Sequence, residues 1–274
     1  MPSRDRKLGS SAGGGSMPAG AAAQRGAAYG QPFGATDRRD AWWLQPVSQA
    51  LGLMVLGAYA TWAAIQGNHF DYTGGGARYI SPFYSPLVQP KWWPFSPAFL
   101  ILAIPGGFRA TCYYYRKAYY RAFFADPLAC AVGERSGAGY RGESKFPLIL
   151  QNAHRFFVVL AVVFLYFLWS DVVHAFTFGG GFGIGVGSLV ILASTTLLTL
   201  YTASCHTVRH IIGGNLDCFS CALAGGPRFR AWTTVGGLNA HHMGLAWWSL
   251  LGVCSADFYV RFCSLGVLHD LRLL

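Results

Sequence analysis

Five long apolar segments constrain the fold of this chain more than any other feature. They cover about residues 44–65, 97–124, 156–178, 184–212 and 238–260, and each is long enough for a helix to cross the ~30 Å apolar layer of a bilayer. The composition agrees, because 53% of the 274 residues are hydrophobic and only 12% are charged. The sequence therefore predicts an all-α integral membrane bundle of five transmembrane helices.

The distribution of charge predicts the domain organisation and the orientation. Residues 1–40 are rich in Gly, Ala and Ser, which predicts a disordered cytoplasmic tail before a transmembrane domain at 41–274. The net charge of +10 is concentrated in this tail and in the loops after the second and fourth spans. By the positive-inside rule these parts face the cytoplasm, and so does the N-terminus. The basic charge indicates contact with membrane lipid or an acidic partner, and no nucleic acid.

The stretch from residue 201 to residue 242 contains an unusual number of metal-ligand side chains. They are Cys205, His206, His210, Cys218, Cys221, His241 and His242. Two thiolates and two imidazoles form the ligand set of a Rieske-type [2Fe-2S] cluster. The preferred assignment places Cys218 and Cys221 on one iron and His210 and His242 on the other, with the remaining three in reserve. The predicted cofactor site lies at the cytoplasmic side of the bundle.

Other interpretations of these residues stay open. Zinc also binds sets of Cys and His, although structural zinc usually serves small soluble modules. A haem b between facing helices would use His154 with His206 or His210 and would leave the C-x-x-C pair without a role. The thiols and imidazoles could also be structural, as most single Cys and His are. The spacing departs from the soluble Rieske signature of C-x-H followed by C-x-x-H.

A second set of residues is suited to binding a quinone. A quinone head needs an aromatic slot and one or two hydrogen-bond donors for its carbonyl groups. Arg109 is a cation within the second apolar span, where an ionised side chain indicates a functional site. The full predicted quinone-binding set is Arg109, Tyr113, Arg116, His154, Arg155 and Trp247. No catalytic residue is predicted in this chain.

Several stretches resemble the single-chain, cytochrome b-type membrane anchor of actinobacterial-type succinate dehydrogenases. They are CYYYRKAYYRAFFADPLACAVGE from residue 112, FPLILQNAHRFF from 146, SCHTVRHIIGGNLDCFSC from 204 and LNAHHMGLAWWSLLGVCSADFYVR from 238. The resemblance implies a multi-pass subunit of respiratory complex II in the bacterial plasma membrane. Its partners would be an FAD-containing flavoprotein and an iron–sulfur subunit, and higher oligomers stay open. A membrane Rieske-type cluster would replace haem and pass electrons from succinate to menaquinone or ubiquinone.

Two rival functions belong to different classes. The first is a haem b-carrying anchor of the same complex. The second is a non-redox membrane transporter or assembly protein, against which the scarcity of carboxylates within the spans argues. Co-purification with a large flavoprotein separates an anchor from a transporter.

Overall fold

The computed structural model describes residues 32–125, 128–134, 144–146, 148–214 and 216–274. Residues 1–31 of the predicted tail and much of the predicted loop at 125–150 lie outside the described residues. The described part is built mainly of α-helices, with two short β-hairpins between them. This confirms the predicted all-α membrane fold.

Four helices are long and apolar enough to cross a membrane, within the residues described. They are α1 (Leu44–Gln66), α4 (His154–Ala175, continuing a 3-10 turn at Leu148–Ala153), α5 (Val186–Ala203) and α8 (His242–Ser264). Helix α2 (Ala98–Thr111) is apolar but shorter. The predicted count of five spans therefore holds when the short helix α2 is included.

Three of the predicted continuous spans are interrupted. The second breaks at Cys112 into α2 and α3 (Tyr113–Tyr119), which ends in a π-helical turn at Tyr120–Phe124. The fourth breaks at Cys205, after which α6 (His206–Gly213) begins. Helix α7 (Gly225–Ala240) precedes the fifth span and breaks from α8 at His241. Apolar periodicity continues through these breaks, so the pattern alone does not reveal them.

The cysteines at the first two breaks have the same backbone conformation. Cys112 has φ −66° and ψ 130°, and Cys205 has φ −65° and ψ 138°. These are extended values, so each residue ends one helix and precedes the first turn of the next. Both cysteines lie at the same end of the bundle, because α2 and α5 run in the same direction through it.

The opposite end of the bundle is closed by the hairpins and by a buried loop. Strands β1 (Asp71–Gly74) and β2 (Ala77–Ile80) pair antiparallel, as do the short strands β3 (Thr177–Phe178) and β4 (Gly181–Phe182). The loop at 81–85 follows β2 and is buried throughout. Its Ser81 hydroxyl donates a hydrogen bond to the buried carboxylate of Asp257 on α8.

Helices α2 and α4 approach each other closely at Gly107. A Cβ atom there would lie 2.2 Å from the ring of Phe157 on α4, whereas a Cβ atom on the adjacent Gly106 would meet nothing within 4 Å. Gly107→Ala should therefore destabilise the bundle by about 1–2 kcal/mol through overpacking, while Gly106→Ala should not. Both changes gain similar helix propensity, so their difference isolates the close contact. Thermal unfolding of the two variants in detergent is the measurement, and equal midpoints would contradict the prediction.

Candidate metal centre

Four side chains with soft or borderline ligand atoms meet at one end of the bundle, each from the end of a different helix. Cys112 joins α2 to α3, His154 begins α4, Cys205 joins α5 to α6, and His242 begins α8. The exposed fraction is 2% for Cys112, 3% for Cys205 and 5% for His154, and His242 is half-buried. We call this group the Cys/His centre.

The four side chains form two Cys–His pairs. Nε2 of His154 lies 3.0 Å from Sγ of Cys205, and Nε2 of His242 lies 3.4 Å from Sγ of Cys112. The two Cys–His pairs are linked by aromatic contacts: Phe108 stacks on His154, Tyr201 stacks on His242, and the Phe108 and Tyr201 rings have centroids 5.4 Å apart. Among the described residues, no three Cys, His, Asp or Glu side chains form a group suited to one metal ion.

Thr111 lies against the outer nitrogen of His154. Its hydroxyl donates to the carbonyl oxygen of Gly107 at 2.7 Å, and its oxygen lies 3.0 Å from Nδ1 of His154. When Nδ1 carries the proton, the hydroxyl oxygen accepts it as a hydrogen bond, and the lone pair of Nε2 faces the Cys205 sulfur.

An equivalent arrangement holds His242. The Ser204 hydroxyl donates to the carbonyl oxygen of Tyr201 at 2.8 Å, and its oxygen lies 2.7 Å from Nδ1 of His242. When Nδ1 carries the proton here as well, the Nε2 lone pair faces Cys112. Metal-binding histidines commonly donate their other N–H to such a partner, which fixes the ring and its tautomer. Both imidazoles therefore have a hydroxyl where a metal-binding histidine has its hydrogen-bond acceptor.

The two thiols lie at helix N-termini, which partly stabilise a negative charge. Each precedes the first turn of a short helix, where the unpaired backbone N–H groups favour a thiolate. Burial nevertheless raises the pKa of the Cys205 thiol above its ordinary value, because the thiolate is poorly solvated there. A nearby cation such as a metal would favour the thiolate.

Aromatic rings enclose the centre on two sides. Phe108 stacks on His154 with ring centroids 4.7 Å apart, and Tyr201 stacks on His242 at 5.1 Å. The Tyr201 side chain is fully buried, and its hydroxyl forms no hydrogen bond within the described part of the chain. This hydroxyl lies beside Cys112. A sulfur acceptor with negative charge would satisfy it, which fits a site for a thiolate-bound cofactor.

Most of the predicted metal ligands lie outside this centre. Of the seven, only Cys205 and His242 belong to it. Cys218 and Cys221 form a disulfide with each other in a loop at the surface. His206, His210 and His241 are all exposed. The preferred set of Cys218, Cys221, His210 and His242 is therefore not brought together, and neither is His154 with His206 or His210.

The predicted quinone-binding residues are divided between the interior and the surface. His154 belongs to the Cys/His centre, whereas Arg155 is exposed. Tyr113 is half exposed, and the guanidinium of Arg116 lies over its ring at 4.8 Å. The remaining two residues lie inside the bundle and are hydrogen-bonded there.

Arg109 and Trp247 make these interior contacts. Arg109 donates to the hydroxyl of Tyr115 at 2.6 Å and to the hydroxyl of Ser249 at 3.0 Å. Trp247 donates from Nε1 to the hydroxyl of Tyr114 at 2.6 Å. The rings of Tyr115 and Trp247 are 6.3 Å apart, so the two residues share one aromatic layer beside the centre.

Sequence reasoning missed Cys112 as a ligand and gave His154 a different role. A signal for both is present in the sequence. Cys112 precedes His154 by 42 positions, and Cys205 precedes His242 by 37. In each case the cysteine lies in the second half of one apolar segment and the histidine lies near the start of the next. Two hairpins of spans with the same Cys-to-His arrangement would bring all four side chains to one end of a bundle.

The similarity of this chain to known proteins extends over the helices that carry the centre. Residues 44–266 match the family model described as actinobacterial succinate dehydrogenase subunit SdhC. A chain of the Mycobacterium smegmatis Sdh1 complex in the apo form is similar in structure, with a TM-score of 0.78 and 39% sequence identity. That alignment covers 89% of this chain and 96% of the other. No curated protein matches the chain significantly.

Proposed function

This chain belongs to the family of actinobacterial succinate dehydrogenase subunit SdhC, and from this premise we propose that it carries a Rieske-type [2Fe-2S] cluster within the membrane anchor. Cys112 and Cys205 would bind one iron, and His154 and His242 the other. When bound, such a cluster supplies reversible one-electron transfer at a potential raised by its histidine ligands. The chain itself contributes no catalytic residue for succinate oxidation.

One observation carries this proposal: two thiols and two imidazoles meet as Cys–His pairs at one end of the bundle, with Nε2–Sγ distances of 3.0 and 3.4 Å. A hydroxyl, from Thr111 or Ser204, lies at Nδ1 of each histidine and would accept a hydrogen bond from Nδ1–H while Nε2 binds iron. Two thiolates and two imidazoles are the ligand set of a Rieske-type cluster of two irons.

The residues around the centre have separate tasks in this function. Phe108 and Tyr201 exclude water from the imidazoles and lower the local dielectric constant. The first turn of α6, which begins directly after Cys205, would offset part of the negative charge of its thiolate. Thr111 and Ser204 hold the Nδ1 protons in place and orient both rings.

The distribution of basic side chains supports a cytoplasmic position for the centre. The end of the bundle that carries the centre also carries Arg38, Arg39, Arg116, Lys117, Arg121, Lys145, Arg155, Arg209, Arg228 and Arg230. Among the described residues, the opposite end carries Arg78, Lys91, Arg272 and the buried Arg261. By the positive-inside rule the centre and the N-terminus face the cytoplasm. An iron–sulfur subunit bound to a flavoprotein would dock on this face.

The electron acceptor in this proposal is a membrane quinone, menaquinone or ubiquinone. Trp247, Tyr113 and Arg116 lie at the same end of the bundle as the centre and supply aromatic surface and a cation. The indole of Trp247 already donates to Tyr114, whose hydroxyl proton is then available to a quinone carbonyl. Arg155 is exposed at this end and could contact the quinone head from the interface.

Purification from membranes through a tag on this chain tests the proposal. We expect a flavoprotein and an iron–sulfur subunit to co-purify. We also expect pulsed EPR of the reduced complex to show nitrogen hyperfine coupling from imidazoles bound to iron. That coupling distinguishes this cluster from the cysteine-bound clusters of a partner. Iron signals without nitrogen coupling, or haem absorption in their place, would reject the cluster. Purification of the chain alone would reject the anchor function.

A further inference from the structure

We propose that Arg109 is a positioning residue that raises the reduction potential of the Cys/His centre through its charge, and is not a quinone ligand. This inference rests on the proposed [2Fe-2S] cluster. It assigns a role to an intramembrane cation whose presence would otherwise be unexplained.

The guanidinium of Arg109 is hydrogen-bonded inside the bundle, and the partners of these bonds are neutral groups. It donates to the hydroxyls of Tyr115 and Ser249 and to the carbonyl oxygen of Ala246 at 3.2 Å. In the part of the chain that the structure describes, the ion pairs are Arg38 with Asp40 and Arg261 with Asp257, and neither involves Arg109. Its positive charge is therefore not balanced by a carboxylate.

A half-buried cation within an apolar bundle is costly without a counter-ion unless something nearby becomes negative. The end of α2 compensates only in part, since the carbonyl groups of its last turn are a partial negative charge. The hydrogen bonds of Arg109 direct its Nη1 and Nη2 groups to helix α8 and to Tyr115 within the bundle. Both observations indicate that the charge of Arg109 acts on the adjacent Cys/His centre and not on a quinone.

Tyr201 connects Arg109 to the centre. The guanidinium lies over one face of the Tyr201 ring, 4.8 Å from its centroid, and the same ring stacks on His242. Arg109 thus approaches a proposed ligand of the centre through a single aromatic ring.

The effect on the potential follows from the charge balance of reduction. One electron, derived from succinate through the partner subunits, adds one negative charge to the centre and releases no group. The guanidinium of Arg109 lies within about 10 Å of the centre. At an effective dielectric constant of about 20, a cation at that distance favours the reduced centre by roughly a factor of ten in the equilibrium constant for reduction. A tenfold change in a one-electron equilibrium corresponds to about 59 mV.

Redox titration of the purified complex, followed by EPR, tests this inference. We expect Arg109→Gln to lower the midpoint potential by about 59 mV, which is a tenfold change. The nitrogen coupling and the iron content of the complex should stay unchanged. Arg109→Lys keeps the charge and should keep most of the potential. An unchanged potential in Arg109→Gln, with the cluster signal intact, would overturn the role of Arg109.

A second variant covers the case in which Arg109→Gln does not assemble. Ser249→Asp places a carboxylate against the guanidinium and neutralises it without removing the Arg109 side chain. It should also lower the potential, and no change would overturn the inference. A wild-type complex without nitrogen-coupled iron would instead overturn the proposed function. The two failures are therefore distinguishable.

Discussion

Replacing Cys112 or Cys205 with serine is expected to eliminate the nitrogen-coupled iron signal and to remove two irons from each complex. A serine hydroxyl is a poor ligand for iron of this type, and each cysteine would supply half of the thiolates of one iron. Electron transfer from succinate to quinone should fall by at least about a hundredfold, as expected when a group that the metal requires is removed. Succinate oxidation with a soluble acceptor should persist, because the flavoprotein performs it.

The matched control is the exposed cysteine pair. The double variant Cys218→Ser with Cys221→Ser removes a disulfide in a surface loop and leaves the Cys/His centre untouched. Cys254→Ser is a second control, since Cys254 is buried in α8 in a different cluster of core residues. Both controls should retain the full iron content and quinone reduction. If the signal is lost in the Cys218→Ser, Cys221→Ser double variant but retained in Cys112→Ser, Cys218 and Cys221 would be the iron ligands instead.

The contrast between these cysteines explains what the sequence could and could not predict. The density of ligand residues along 201–242 predicts a site within that one stretch. The centre is instead assembled from four helix ends that are far apart in sequence. Cys205 and His242 were found because they lie within that stretch. Cys112 was missed because it is a lone cysteine within an apolar pattern, where the structural role is the more common one.

The helix breaks are a second feature that the sequence pattern does not predict. Apolar periodicity predicts that a segment lies in the membrane, but it does not show where the backbone leaves the helix. At Cys112 and Cys205 the chain becomes extended for one residue without any Gly or Pro there. These breaks are set by tertiary contacts, since each cysteine meets a histidine from another helix. The membrane class of the fold, by contrast, follows directly from composition and segment length.

The buried ion pair at the far end of the bundle should be the most sensitive point for stability. Asp257 is completely buried and accepts hydrogen bonds from Tyr59 at 2.7 Å and from Ser81. Arg261, which is 2% exposed, lies 3.4 Å from the same carboxylate and donates to the carbonyl oxygen of Asn68. One carboxylate thus joins α1, the buried loop and α8.

Asp257→Ala should lower the free energy of unfolding by about 3–5 kcal/mol, because it leaves the Arg261 guanidinium buried without its counter-ion. That corresponds to a fall of about 10 °C in the unfolding midpoint of a chain this size. The measurement is thermal unfolding in detergent of complexes carrying the variant. Asp40→Ala is the control, since Asp40 forms an exposed ion pair with Arg38 and should leave the midpoint unchanged.

The double variant Asp257→Leu with Arg261→Met separates charge burial from packing. If the cost of Asp257→Ala comes from an unpaired charge, removing both charges should recover much of the loss, as replacement of buried ion pairs by apolar side chains often does. If the double variant is as unstable as the single one, the hydrogen bonds from Tyr59 and Ser81 carry the stability instead. In both cases the Cys/His centre should keep its cluster signal, because this network lies at the opposite end of helix α8 from His242.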